Sequence, residues 1–128
     1  METLNNNTVN IIEHLTSESF KAKVFDYTSK SDWKYKGNLP CLIDFYADWC
    51  KPCRSISQML EELAGEYKGK LYIYKVDTEQ EIELAALFRV QSIPSLLFVP
   101  IADQPKMALG ALPRETFVKA FKEVLKVE

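Results

Sequence analysis

Two cysteines separated by two residues, Cys50 and Cys53, stand where an apolar run gives way to a helical pattern. Residues 42–46 have the composition of a short buried strand, and apolar side chains recur at helical spacing over residues 56–67. A helix that begins at Cys50 places its thiol beside unpaired backbone N–H groups and the positive end of the helix dipole, which stabilise the nucleophilic thiolate. The pattern therefore predicts a strand, a turn and a helix that carry a reversible dithiol and disulfide pair.

The length and composition of the chain predict one domain. Its 128 residues are 47% hydrophobic and 27% charged, which fits a single core. We assign the Asn-rich residues 1–9 to a flexible N-terminal leader and residues 10–128 to the domain. The 16 basic and 18 acidic residues are dispersed and give a net charge of −2, so no basic stripe tracks phosphates and nucleic acid is not an expected partner.

The distribution of apolar residues bears on the compartment. No segment approaches the roughly 20 apolar residues that span a bilayer, so we expect no membrane insertion. Separately, we expect the protein to be a monomer. The first residues lack the basic and apolar parts of a signal peptide, which predicts a cytoplasmic protein. Removal of a signal peptide ahead of these residues would instead indicate a periplasmic or other extracytoplasmic protein.

The three cysteines are too few for a secreted disulfide scaffold. Cys41 opens the apolar strand, where we interpret it as a small buried hydrophobe, with a redox role as the alternative. Half of a structural zinc site is the alternative for the Cys50 and Cys53 pair, but only Cys41 and the sole histidine, His14, could supply further Cys or His ligands. His14 is predicted at the edge of a strand far from Cys50, which disfavours a cysteine-hydrolase dyad.

The remaining pattern predicts alternating strands and helices. The predicted elements are a strand with Ile11, Ile12 and Leu15, a helix capped within residues 16–19 and running to Phe25, a polar loop over 26–38, a strand over 39–46, a helix over 50–67, a strand over 71–76, a helix over 80–88, a strand over 95–99, an antiparallel edge strand over 106–109, and a last helix after Gly110 with Pro113 in its first turn.

Residues 44–54, Asp-Phe-Tyr-Ala-Asp-Trp-Cys-Lys-Pro-Cys-Arg, resemble the active-site segment of the thioredoxin family. Other segments that resemble the family lie, in order, at 11–20, 75–77, 92–98 and 109–112, so the resemblance covers roughly residues 11–126. It implies an α/β thioredoxin fold: three layers, with a central mixed sheet of about five strands flanked by about four helices.

The resemblance also implies a function, protein disulfide reduction by thiol–disulfide exchange. Cys50 would attack a client disulfide and Cys53 would resolve the mixed disulfide. The redox-active disulfide would need no other cofactor, and electrons would come from a thioredoxin reductase or a membrane thiol donor. A disulfide oxidase or isomerase is the alternative enzyme, and a partner-binding module whose redox turnover is incidental is the alternative from another class.

By similarity to the family, Asp44 would exchange a proton with Cys53, with Lys75 as a nearby charge. Burial among apolar neighbours should raise the pKa of Asp44, unless the residue lies at a solvated sheet edge. A strand lysine is usually exposed to solvent, which is the alternative for Lys75.

Trp49, Ile93, Pro94 and Gly110 match family positions that line the groove for an extended segment of the client protein. The matching family proline is cis, whereas trans is the default for an X-Pro bond. A plain turn at Pro94 and ordinary half-buried packing of Trp49 are the alternatives.

Three positions depart from the family pattern: Lys51 replaces a more usual glycine, Tyr46 a frequent tryptophan, and Gln58 a frequent helix-kinking proline. A cation at Lys51, supported by Arg54, should favour the Cys50 thiolate and make the pair more oxidising, unless Lys51 simply points into water. Without proline at 58 the active-site helix is expected to be straighter.

Overall fold

The computed structural model describes residues 12–128; Ile11 of the predicted first strand and the predicted leader, residues 1–9, lie outside the described residues. Within this range the chain alternates strands and helices as predicted. The elements in chain order are β1 Glu13–His14, α1 Ser17–Lys23, β2 Cys41–Tyr46, α2 Lys51–Ser55, α3 Ser57–Glu66, β3 Tyr72–Asp77, α4 Ile82–Leu87, β4 Ser95–Val99, β5 Lys106–Leu109 and α5 Arg114–Glu123.

The five strands form one mixed sheet in the order β1, β3, β2, β4, β5. The first three of these run parallel, while β4 is antiparallel to β2 and β5 to β4. The central strand β2 is therefore flanked on both sides, which explains why its sequence is apolar almost throughout. With α2 and α3 counted as one interrupted helix, four helices flank the sheet over residues 12–128, and the predicted three-layer α/β fold is confirmed.

Alternation along β2 builds a core on each face of the sheet. Leu42 joins a cluster with α3 and α5, in which Leu60 and Phe121 are fully buried. Ile43 points to the opposite face and joins a cluster with α1 and α4. Residues of one parity thus share a face, so Asp44 lies on the face of Leu42, which α3 and α5 cover.

The N-terminus of α1 is capped from two directions. Thr16 and Ser19 form a reciprocal capping box, which confirms the predicted N-cap hydroxyls. Glu81, far along the chain, accepts a hydrogen bond of 2.9 Å from the backbone N–H of Ser17. A carboxylate at a helix N-terminus is also stabilised by the helix dipole.

The active-site helix is interrupted at Ile56, so the prediction of a straighter helix was wrong. The hydroxyl of Ser55 donates a hydrogen bond of 2.7 Å to the carbonyl of Pro52. This carbonyl is the acceptor that the N–H of Ile56 would use in a regular helix. Side-chain competition for a backbone carbonyl bends helices, and it replaces the missing proline as the cause of the break.

Other differences from prediction are local. The first strand spans only two residues, between the buried Ile12 and Leu15. Pro113 is the N-cap of α5, not part of its first turn. An aromatic contact anchors the loop over 26–38, since the ring centroids of Trp33 and Phe25 lie 4.9 Å apart. No helix within residues 12–128 combines the length and the apolar character that crossing a membrane requires.

Helix α4 ends with a left-handed residue that is not glycine. Arg89 has φ +53°, and it donates its N–H to the carbonyl of Ala86 while Val90 donates to Ala85, both at 3.0 Å. These two bonds form a Schellman motif, which favours glycine at the left-handed position.

We predict that Arg89→Gly stabilises the protein by about 0.5–1 kcal/mol. Relief of the left-handed strain outweighs the larger backbone entropy of glycine in the unfolded chain. The matched control is Ala86→Gly, an exposed right-handed position in the same helix, which should destabilise by about 1 kcal/mol. Urea unfolding of the two variants measures both effects, and destabilisation by Arg89→Gly would contradict the prediction.

Candidate active site

Cys50 and Cys53 form a disulfide at the start of α2, with their Cα atoms 5.3 Å apart. Cys50 is the N-cap of this helix, and its Sγ accepts the N–H of Cys53 at 3.2 Å. The predicted helix start is therefore confirmed. A sulfur that accepts a backbone N–H at a helix start is in a position that stabilises its thiolate after reduction.

The two cysteines do not differ in exposure: each residue is 3% exposed. What distinguishes the sulfurs is their surroundings. The Sγ of Cys50 lies 3.7 Å from the carbonyl oxygen of Ile93, and Cys50 is flanked by the exposed Trp49 and Lys51.

Asp44 is fully buried, and among the described residues neither of its carboxylate oxygens has a hydrogen-bond partner. Burial raises its pKa to about 6, and the charge of Lys75 acts in the opposite direction. The alternative of a solvated sheet edge is wrong, because β2 is the central strand. A carboxyl group with this pKa can take up and release a proton near neutral pH.

Lys75 lies directly across from Asp44 in the pairing of β2 with β3. It is half-buried, so the alternative of a fully solvent-facing lysine is wrong. Its Nζ donates to the Oγ of Ser57 at 3.3 Å and lies 4.8 Å from the centroid of the Tyr46 ring.

Ser57 was not singled out in the sequence. Its spacing of four residues from Cys53, on a predicted helix, is a signal that could have found it, because such residues share a helix face.

The other predicted site residues come from three separate segments of the chain. The Ile93–Pro94 peptide bond is cis, and Pro94 is buried. Gly110 has φ +93° and donates its N–H to the carbonyl of Pro94 at 2.9 Å. Trp49 is 67% exposed, so half-buried packing is not its role.

Ile93 packs against the cluster that contains both cysteines. Gly110 is linked to the neighbouring Pro94 by its backbone hydrogen bond.

The side chain of His14 is hydrogen bonded to the Tyr46 hydroxyl. The Nδ1 of His14 lies 3.3 Å from the hydroxyl oxygen of Tyr46, whose side chain packs against the cysteine cluster. His14 is thus one side chain removed from the disulfide, closer than the sequence suggested. Arg54 is likewise engaged, since its guanidinium donates to the carbonyl of Asp48 at 2.7 Å.

Cys41 is buried at the opposite end of β2 from the disulfide, as the sequence predicted. Burial raises the pKa of its thiol to about 12, so it carries almost no thiolate near neutral pH. Within residues 12–128, no group of three or more His, Cys, Asp or Glu side chains is arranged to hold a metal ion.

Comparisons with known proteins agree on one family. A family model described as Thioredoxin matches residues 11–123. A thioredoxin of Borreliella burgdorferi is 40% identical over 109 residues, which are 85% of this chain and 93% of that protein. Thioredoxin 1 of a Nostoc species is 31% identical, with 87% of this chain and 94% of that protein covered.

A solved structure also resembles this fold. The crystal structure of chloroplastic thioredoxin z superposes with a TM-score of 0.74, at 21% sequence identity, covering 88% of this chain and 93% of that one.

We predict that Asp44 makes the oxidised protein less stable as the pH rises. Because its pKa is 3.8 unfolded and about 6 folded, the unfolded state ionises first. The decrease in the free energy of unfolding caused by Asp44 is absent below pH 4, grows up to pH 6, and then stays at about 3 kcal/mol. Asp44→Asn removes this component, so the stability of the variant relative to the parent should increase between pH 4 and 7.

Urea unfolding across this pH range measures the difference. The exposed Asp103 provides the control, since Asp103→Asn should leave the pH dependence of the parent intact. A stability difference between Asp44→Asn and the parent that does not vary with pH would contradict the prediction.

Proposed function

The chain belongs to the thioredoxin family and is a protein disulfide reductase that works by thiol–disulfide exchange, and on this premise we propose the role of each site residue. The observation that carries the proposal is the disulfide at the start of α2, combined with a buried carboxylate on the face of β2 that α3 and α5 cover. Among residues 12–128 this carboxylate has no hydrogen-bond partner. The first supplies the exchanging sulfurs, and the second supplies a group that can hold a proton.

In the first step the Cys50 thiolate attacks one sulfur of a client disulfide. A mixed disulfide forms, and the other client sulfur leaves as a thiolate. Cys50 is assigned as the attacking residue because its Sγ accepts a backbone N–H at the helix start. It also lies beside the exposed Trp49 and 3.7 Å from the carbonyl oxygen of Ile93.

In the second step Cys53 loses its proton to Asp44 through a bridging water and attacks the Sγ of Cys50. The second client sulfur leaves as a thiolate and is protonated. The client has then gained two electrons, and the Cys50–Cys53 disulfide has been restored. The pKa of Asp44, about 6, suits a group that accepts a proton in this step and releases it afterwards.

The client is held as an extended segment beside Pro94. Trp49 is exposed, and Gly110 adds no side chain where the chain would approach. The partners are therefore disulfide-containing proteins on one side and an electron donor on the other. As donor we propose a thioredoxin reductase, and we place the protein in the cytoplasm as a monomer.

The assignment of Cys50 and Cys53 predicts which intermediate can be trapped. Cys53→Ser should accumulate a mixed disulfide with insulin through Cys50, because resolution is blocked. Cys50→Ser should form none and lose reductase activity. Cys41→Ser, which alters the distant buried thiol, should behave as the parent protein.

Non-reducing electrophoresis after incubation of the reduced variants with insulin detects the adduct. Equal trapping by Cys50→Ser and Cys53→Ser would overturn the assignment.

We further propose that Lys51 makes the pair more oxidising. Its charge, at an exposed position between the two cysteines, favours the thiolate of the reduced form. Lys51→Gly should lower the reduction potential against glutathione by about 10–20 mV, and salt should reduce this shift. Lys51→Gln should lower the potential by the same amount, while Lys51→Arg should keep the parent potential. Equal potentials for Lys51→Gly and the parent would refute this role.

A further inference from the structure

The Lys75 ammonium is hydrogen bonded to the neutral hydroxyl of Ser57, although the buried carboxylate of Asp44 lies across from it. Asp44 and Lys75 are paired in the register of β2 and β3, and a parallel pair points such side chains to the same face. Yet both oxygens of Asp44 are without a hydrogen-bond partner among residues 12–128. The ammonium hydrogen bonds instead to the Oγ of Ser57, at 3.3 Å.

The Tyr46 ring provides the second contact of this ammonium. The Nζ of Lys75 lies 4.8 Å from the ring centroid, within the range of a cation–π interaction. The ring itself is held in place, since its hydroxyl is 3.3 Å from the Nδ1 of His14 and the two rings meet edge to face with centroids 5.9 Å apart. A hydroxyl and an aromatic face therefore hold the ammonium from two sides.

The position of this charge decides how well Asp44 can serve as a proton acceptor. An ammonium bonded directly to the carboxylate would stabilise its charged form and make it a weaker base. An ammonium held nearby still attracts, but leaves both oxygens free for a water or a proton. We propose that Ser57, supported by Tyr46, is a positioning residue that holds the Lys75 ammonium off Asp44, so that the carboxylate stays free to receive the proton of Cys53.

The proposal rests on the role of Asp44 stated above. The charged or titratable groups that neighbour Asp44 are Lys75, across from it on β3, and Tyr46 on β2 itself, whose hydroxyl contacts His14 of β1. The helices on this face supply neutral or apolar side chains, Ser57 and Leu60 from α3 and Phe117 and Phe121 from α5. Cys50 and Cys53 at the start of α2 are joined in the oxidised protein and do not titrate. On β4 its partner is the apolar Leu96. Lys75 is the only one of these groups whose charge lowers the pKa of Asp44.

The test is Ser57→Ala, which removes the hydroxyl and leaves the backbone and the other contacts of Lys75. The ammonium then lacks this acceptor, and the carboxylate across from it in the strand register, Asp44, has no hydrogen-bond partner among residues 12–128. In the oxidised protein, the titration midpoint of the Asp44 carboxyl, followed by carbon-13 NMR, should fall by about one unit. The rate at which a Cys50 mixed disulfide is resolved at neutral pH should fall about threefold, as expected for a weaker base.

Three variants separate positioning from a general structural effect. Ser57→Thr keeps the hydroxyl and should retain the parent midpoint. Gln58→Ala changes an exposed residue next to Ser57 and should also retain it. In a Lys75→Met background, Ser57→Ala should have no effect on the midpoint, because there is no charge left to move.

The outcomes distinguish this inference from the proposed function. An unchanged or raised midpoint in Ser57→Ala, or an equal fall in the Lys75→Met background, would overturn the positioning role. Failure of the role of Asp44 itself gives a different result: Asp44→Asn would resolve the mixed disulfide at the parent rate, while Ser57→Ala would still lower the midpoint.

Discussion

Burial of one carboxylate in the central strand is the constraint on which the rest of the site depends. β2 pairs with a strand on each side and is covered on each face, so Asp44 is removed from water by the same packing that holds the domain together. Such burial disfavours the charged form and raises the pKa to about 6. The packing of the core therefore sets the pKa of this carboxyl group.

The chemistry is located where strands and helices end. Cys50 follows the end of β2, Pro94 precedes β4, and Gly110 follows β5, so three separate segments meet beside one disulfide. Loop positions leave backbone groups free for a client, while the strands behind them fix the positions of the sulfurs. Asp44 lies behind these segments, where burial raises its pKa.

The sequence predicted those features that depend on local pattern. Alternation and helical spacing were sufficient for the strands and helices, and the resemblance of residues 44–54 was sufficient for the family. What local pattern missed depends on contacts made only in the fold. The break at Ile56 follows from a serine hydroxyl that was not considered, and the capping of α1 by Glu81 joins residues far apart in the chain. The orientation of Lys75 follows from strand register, which places it across from Asp44.

The two lysines near the site differ in what their charges can affect. Lys51 is exposed, so water and salt weaken its field, and it acts on a sulfur that also accepts a backbone N–H. Lys75 is half-buried and hydrogen bonded, where the effective dielectric constant is lower and a displacement of the ammonium changes its interaction with Asp44 strongly. In the proposed roles, Lys51 therefore makes a modest adjustment to the redox equilibrium through Cys50, whereas Lys75 acts on the carboxyl group of Asp44.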